Sequence, residues 1–387
     1  MHSSTIELSG SALRNNLRFL RKLLGPEVAI SSVVKGNAYG HSIEHFVPLA
    51  EDCGIGHFSV FSADEALRVL ESRTRPDTRI CIMGYIDDAE LEWAVGNGIE
   101  FWVFDCMRLS AAERASERIG KPARVHLELE TGMNRLGLQG AQLDRAIETL
   151  ATSPGAFELC GVCTHFAGAE SVQNHLRIRN QIEAFWEGHE RISRRLGAAV
   201  RHTACSAAAL RYAETRMDMV RIGIAQYGFW PSRETRMHFQ LERDPDQSGA
   251  IRDPLRRVMR WKSLVMNVKT VGPGQFVGYG TTYLTTRTEK VAAVPVGYHH
   301  GFARNLSNLG HVLVHGRRAQ VVGLVNMNMF LVDVTDIPSV DRGDEVVIIG
   351  KQNRSQITVS SFSDLTRNLN YEVLVSLPES IPRVVVA

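Results

Sequence analysis

Residues 32–42 read SVVKGNAYGHS, and their lysine is the first candidate for chemistry. Lys35 closes an apolar run and meets Gly36, Asn37 and, four residues on, Tyr39. A lysine acts as a nucleophile or base only as the free amine, a form that burial favours by lowering its pKa. An amine that merely faces solvent needs no such neighbourhood. Arg135, His165, Ser206 and the pair Gly223–Ile224 also stand at or just after apolar runs. Each has a structural reading too: Arg135 as a surface charge, His165 as a satisfied core histidine, Ser206 as a helix N-cap. The run CGVCTH places Cys160 and Cys163 near His165, a redox or zinc pattern, but no second ligand pair follows at usable spacing. It also reads as a buried strand entering a loop, and no metal is assigned.

The elements that must position these residues form a repeating pattern. VAISSVV, HFSVF, RICIMG, EFWVF, RVHLELE, ELCGVCTH, VRHTACS and MVRIGIA are eight short β-rich runs separated by amphipathic stretches. In SALRNNLRFLRKLLG, Leu13, Leu17, Leu20 and Leu24 share one helical face, and Gly25 suits the C-cap. SADEALRVL opens with Ser62 as N-cap and Glu65 at capping-box spacing. An open doubly wound sheet gives the same alternation, but eight strands are the number that closes a barrel. The expected class is therefore α/β, with an N-terminal (β/α)8 barrel of the TIM type. Active sites of such barrels lie at the C-terminal strand ends. Lys35 follows the first strand, Arg135 the fifth and Ser206 the seventh; His165 ends the sixth, and Gly223 and Ile224 close the eighth. That shared position raises the weight of each.

Beyond Trp230 the texture changes. Residues 231–254 are polar and carry three prolines, which reads as a connecting segment. SLVMNVKTV, KVAAVPVGY, HVLVHGRRAQVVGLV, MFLVDVT and DEVVIIG then suggest a second, mostly β domain, with SSFSDLTRNL as its one helical candidate. The expected boundaries are 10–232 for the barrel, 233–257 for the connection and 258–387 for the β domain, with residues 1–9 pairing with the latter.

Bulk composition excludes several classes. With 387 residues the chain can build two real cores. Its net charge of +2 suggests no polyanionic partner. The basic stretch 252–262 lacks the aromatic or Gly-rich modules of nucleic-acid binders. No apolar run is long enough to span a bilayer, and the N-terminus has no signal-like apolar region. Six scattered cysteines argue against a disulfide framework. A cytoplasmic protein is expected.

VVKGNAYGHS, ETGMNRLGL, CTHFAGAE, RIGIAQYGFWPS, VGYGTTY, VPVGYHHGFARN and LNYEV together resemble the alanine racemase family, in order and over essentially the whole chain. The lysine motif and VGYG are the specific ones. The resemblance implies pyridoxal 5'-phosphate as cofactor, an N-terminal barrel and a C-terminal β domain. Lys35 then carries the cofactor, because the aldehyde needs an amine that forms a Schiff base. Tyr39 and Tyr371 reach the phosphate, and Ser206 at a helix start joins the backbone N–H groups of Gly223 and Ile224 as an anion site. His165 lies against the ring, and Arg221 faces the pyridine nitrogen. Arginine stays protonated and has no acceptor, so it gives that nitrogen no full proton and leaves the ring a weaker electron sink. This suits racemisation over transamination.

Racemisation needs an acid and a base on opposite faces of a planar intermediate. The resemblance assigns these to Lys35 and Tyr279, the latter from the partner of a head-to-tail homodimer with shared sites. Arg135 and the backbone of Met327 receive the substrate carboxylate, and Tyr298 lines the site. Four departures stand out. Glu128 replaces a lysine that the family often carries in carboxylated form, and it implies a built-in negative charge that orients Arg135. Asn326, Met327 and Asn328 replace a cysteine–methionine–aspartate run. His299 and His300 follow Tyr298, and Asn37 replaces a common aspartate. The last three bear on substrate range. The expected function is interconversion of L- and D-alanine, with a serine or broad-specificity racemase as the alternative. A barrel-type decarboxylase is less well matched, since its glycine-rich phosphate loop and cysteine-bearing C-terminal motif are missing.

Overall fold

The computed structural model describes residues 3–243, 252–367 and 369–387. The chain divides into two compact units. One comprises Ala12–Lys35 and Phe46–Arg256; the other comprises Met1–Ser11, Gly36–His45 and Arg257–Ala387. The chain therefore leaves the first unit directly after Lys35 and returns ten residues later.

After β1 (Ser4–Ser9), the first unit supplies β2 (Ala29–Val33), β3 (His57–Val60), β4 (Arg79–Ile82), β5 (Glu100–Val103), β6 (Ala123–Glu128), β7 (Phe157–Cys163), β8 (Val200–His202) and β9 (Met219–Ile222). They form one parallel sheet in the order β8-β7-β6-β5-β4-β3-β2-β9. The Cys205–Arg221 bridge and the bond from Arg221 N to Ala204 O, 2.9 Å, join its two ends. The sheet is thus an eight-stranded barrel rather than an open sheet. Both faces of such strands are covered, so they read as continuous apolar runs; β3 and β5 are buried at every residue. The helix Gly10–Leu24 buries Leu13, Leu17, Leu20 and Leu24, and Gly25, at φ 91°, ends it with a bond to Arg21 O. The helix Ala63–Ser72 departs from the expected capping box. Ser62 turns its hydroxyl to Asp64, and Glu65 bonds the backbone N–H of Phe61 instead of Ser62. Within the expected connecting segment the structure has a helix, Arg233–Arg243. Ser232 caps it by accepting from Thr235 N at 3.0 Å. Residues 244–251 of that segment lie outside the described residues.

The second unit adds β10 (Met259–Leu264), β11 (Asn267–Val271), β12 (Glu289–Val294), β13 (His311–Val314), β14 (Arg317–Gln320), β15 (Phe330–Asp333), β16 (Glu345–Gln352), β17 (Ser355–Ile357) and β18 (Arg383–Val386). One sheet runs β14-β13-β16-β10-β1-β18, with β17 on β16; another runs β11-β12-β15. β1 pairs antiparallel with β10 and parallel with β18. The single run SLVMNVKTV is split at Val265–Met266 and serves both sheets. The expected lone helix is two: Val359–Thr366 stops at Arg367, φ 62°, and Asn370–Val375 follows. Glu372 caps the second by accepting from Leu369 N at 2.9 Å.

Candidate active site

Lys35 stands two residues beyond β2, and its amine has no hydrogen-bond partner among the described residues. The residue keeps access to solvent. Even so, loss of bulk water around the amine lowers its pKa, and Arg135 and then Arg221 push the same way, against Glu65. Burial and the neighbouring cations thus favour the free-amine form of Lys35.

His165, two residues after β7, is driven down to a pKa of about 3 by burial, with Arg221, Arg135 and Lys35 adding to the effect. It is neutral at any ordinary pH. Arg135 lies in the loop after β6, exposed, its guanidinium unpaired among the described residues. Only its backbone N–H is engaged, by Glu130 Oε2 at 3.3 Å.

Arg221, in β9, is 3% exposed. NH2 donates to Thr164 O (2.7 Å) and Thr203 O (3.1 Å). NH1 donates to His202 Nδ1 (2.9 Å) and to His202 O. The guanidinium also lies 5.0 Å from the ring centre of Trp102. These contacts leave Nε–H as its unused donor. Ser206 opens the short helix Ser206–Arg211, and its Oγ accepts from Gly223 N at 3.0 Å. An oxygen that already accepts there turns its own proton outward as a donor. Ile224 follows, 2% exposed.

Glu128 ends β6 and is 3% exposed. Its expected pairing with Arg135 is not a contact: Oε2 is buried with no hydrogen bond. Burial raises its pKa to about 7, against the pull of Arg221 and Arg135. The side chain is thus not a permanent carboxylate, and its charge reaches Arg135 only through space. The cause is burial at the end of β6 with no hydrogen-bond donor on Oε2 among the described residues.

In the second unit, Gly36, Asn37, Ala38 and Tyr39 all have φ between 52° and 63°, a left-handed turn. For the non-glycine members this costs about 1–2 kcal/mol each. Local bonds hold the turn. His41 Nδ1 donates to Tyr39 O (2.9 Å) and Ala38 O (3.1 Å), Asn37 Oδ1 accepts from Ile43 N (3.0 Å), and Arg383 reaches Gly40 O. Gly40 is obligatory, since a Cβ would lie 2.1 Å from Leu374 O. Tyr39 packs on Tyr371 with ring centres 5.9 Å apart. Tyr298 N bonds Asn326 O and His299 N bonds Met327 O, each 3.0 Å, so Tyr298 and Met327 are neighbours. His300 accepts from Gly297 N at 3.2 Å and so braces this turn. Tyr279, between Gly278 and Gly280, is 72% exposed, and its hydroxyl makes no hydrogen bond among the described residues.

The structure thus groups Lys35, Arg135, His165 and Arg221 with Ser206 and Gly223 in one unit, and Tyr39 with Tyr371 and Tyr298 with Met327 in the other. Trp102, His202 and Arg383 had no motif to mark them in the sequence; their partners lie far away along the chain. His41 falls within the lysine motif, but nothing in the sequence showed that its ring braces the turn. Cys160 and Cys163 are free buried thiols whose pKa burial raises, to about 12 for Cys160, which makes them inert. Three potential metal ligands, His57, Glu100 and His126, come within 4.8 Å of one another. Their atoms are instead hydrogen-bonded together, and Arg79 and Arg124 face the same carboxylate.

An unpartnered amine with cationic and hydroxyl donors at the C-terminal ends of barrel strands is the arrangement of a barrel enzyme's site. Residues 8–231 match the alanine racemase N-terminal domain and residues 258–385 the alanine racemase C-terminal domain. The chain belongs to the alanine racemase family. It is 36% identical to the alanine racemase of Leptospira interrogans serovar copenhageni, covering 100% of this chain and 96% of that one. The alanine racemase structure from Streptomyces lavendulae superposes with a TM-score of 0.89 at 30% identity, covering 100% and 98%. That of Bartonella henselae, which holds covalently bound pyridoxal phosphate, gives 0.83 at 25% identity over the whole of both chains.

Proposed function

We propose that this enzyme interconverts L-alanine and D-alanine, with pyridoxal 5'-phosphate held by Lys35 and with Lys35 and Tyr279 as the two proton-transferring groups. The observation that carries the reading is Lys35 itself, an unpartnered amine with a lowered pKa beside Arg135, Arg221 and a neutral His165. The donor set fits the cofactor. Ser206 Oγ–H, the N–H of Ile224, the N–H of Gly223 once shared between Ser206 Oγ and the ligand, Tyr39 and Tyr371 would hold its phosphate, Arg221 Nε–H its ring nitrogen, and His165 its ring. When bound, the cofactor supplies a conjugated system that spreads the electron pair left at Cα.

Every other part of the reaction belongs to the chain. Lys35 in its free-amine form takes or returns the Cα proton on one face. Tyr279 does so on the other face; its 72% exposure in its own unit supports a role in the site of a partner subunit. This implies the head-to-tail homodimer. Arg135 and the Met327 backbone orient the substrate carboxylate, and Tyr298 closes the side-chain space. Arg221, a permanent donor with both terminal nitrogens anchored, withholds a full proton from the ring nitrogen and so favours return of the proton to Cα. The reading assigns residues 10–232 to the barrel, 233–257 to the connection and 258–387 to the β domain. It places the protein in the cytoplasm; among the described residues no helix is long and apolar enough to cross a membrane.

A chiral-product assay over the common amino acids, with purified protein and pyridoxal phosphate, tests the proposal. Alanine of either hand should approach a racemic mixture without release of carbon dioxide. Stronger turnover of serine or larger amino acids would redirect the substrate assignment, and carbon dioxide release would replace it with decarboxylation.

A further inference from the structure

Glu100 is the first residue of β5, at the barrel end away from Lys35, and is fully buried. Its Oε2 meets His126 Nε2 at 2.9 Å and His57 Nε2 at 3.2 Å; Oε1 meets Arg79 Nε at 2.5 Å and Arg124 NH2 at 3.3 Å. From His126 the contacts continue. His126 Nδ1 lies 2.8 Å from His202 Nε2, and His202 Nδ1 lies 2.9 Å from Arg221 NH1. A carboxylate and the arginine of the active site are thus joined by two imidazoles through the barrel interior.

The backbone is shaped for this path. Between β6 and β7 the register shifts, with Val125 opposite Leu159 but His126 opposite Gly161, so Cys160 is an extra residue. The shift sets Gly161 beside the two rings. A Cβ on Gly161 would lie 2.4 Å from His126 Nδ1 and 3.0 Å from His202 Nε2. Only glycine leaves room for the histidine–histidine bond.

Each link has one allowed polarity. Arg221 can only donate, so His202 Nδ1 must accept and its proton must sit on Nε2. His126 Nδ1 must then accept, which puts its proton on Nε2, pointing at Glu100. Glu100 completes the sequence only as an acceptor. Burial holds both histidines neutral by lowering their pKa, and hydrogen bonds from His126 and His57 outweigh burial at Glu100 and keep it ionised.

We infer that Glu100 is a positioning residue for the reaction: through His126 and His202 it sets the proton positions that fix Arg221 as a donor toward the ring nitrogen. The inference rests on the role proposed for Arg221 and adds a remote carboxylate that controls it. An amide at position 100 cannot substitute. It turns a donor either toward His126, reversing both tautomers until His202 Nδ1–H opposes Arg221, or toward Arg79 and Arg124.

Neutron diffraction from perdeuterated wild-type holoenzyme at neutral pH should show deuterons on Nε2 of both His126 and His202 and on Nδ1 of neither. A deuteron on Nδ1 of either ring overturns the inference. In Glu100→Gln, kcat should fall about 10- to 100-fold, the range found when the outer hydrogen-bond partner of a metal-ligating histidine is lost. KM for alanine should stay within about twofold and cofactor content should stay full. Glu100→Asp, which keeps the acceptor-only charge, should recover part of kcat. A folded Glu100→Gln enzyme with wild-type kcat, or a drop expressed in KM, overturns the inference. If that variant does not fold, the wild-type proton positions decide alone. A wild-type enzyme that leaves alanine unchanged would defeat the proposed function and leave the neutron result standing on its own.

Discussion

Replacing Glu128 by Gln tests how charge is arranged at the strand ends. Burial lifts this carboxyl from 4.5 to about 7, although Arg221 and Arg135 oppose it. Between those values the folded protein keeps a proton that the unfolded chain has released. Stability therefore falls as pH rises through that window. At 1.36 kcal/mol per pH unit the gap is worth about 3 kcal/mol. A chain of 387 residues has an unfolding entropy of about 0.8 kcal/mol/K near its midpoint, so the effect on Tm is about 4 °C. Glu128→Gln, neutral at every pH, should melt with the wild type near pH 4.5 and about 4 °C above it at pH 8–9. Activity should move the other way. The charge helps Arg135 only through space, so its loss should cost less than the roughly 2–5 kcal/mol of a broken buried pair. A value of about 1 kcal/mol is a rise of about fivefold in KM for alanine. Wild-type KM should fall as pH rises past about 7, while that of Glu128→Gln stays level. Calorimetry of the two proteins across pH, with KM measured alongside, decides the matter. A Tm difference that is constant with pH would refute the reasoning, because it would show that Glu128 does not change its charge in this window.

Three further outcomes are expected. Borohydride reduction of the holoenzyme and peptide mapping should find the label on Lys35; a label on another lysine overturns the assignment. Tyr279→Phe should lower racemisation by at least about 10²–10⁴-fold, the usual loss with a general acid–base group. The family resemblance implies that Lys35 serves D-alanine and Tyr279 L-alanine, so solvent deuterium should still enter Cα of D-alanine but not of L-alanine, and mixed dimers with Lys35→Ala should regain activity; equal residual exchange from both enantiomers would point to a single base. Gly40→Ala should weaken cofactor retention and lower Tm, because its Cβ would meet Leu374 O at 2.1 Å; unchanged retention and Tm would show that the left-handed turn yields readily.

Much of the barrel was legible because its signals are local. Parallel strands covered on both faces are short apolar runs, and the Leu13–Leu17–Leu20–Leu24 stripe needs only the helical period. Lys35, Arg135, His165 and Ser206 could be aligned because each follows a recognisable strand. Chain order alone did not reveal where SLVMNVKTV divides between two sheets, since both halves carry the same β-rich composition. Nor did it show the left-handed path through Asn37, Ala38 and Tyr39, which local propensity opposes and which bonds from His41 and Arg383 sustain. Tertiary structure also decided the state of Glu128. Its residue type promised a charge, but the charge of a carboxyl depends on water and donors, and at the end of β6 the side chain is 3% exposed and its Oε2 has no donor among the described residues. The same holds for the line from Glu100 to Arg221. Its histidines are ordinary strand residues in the sequence, 76 positions apart, and only the register shift that brings Gly161 opposite His126 lets their rings meet. Periodicity is written in neighbouring residues, whereas register and solvation are set by what the folded chain packs against them.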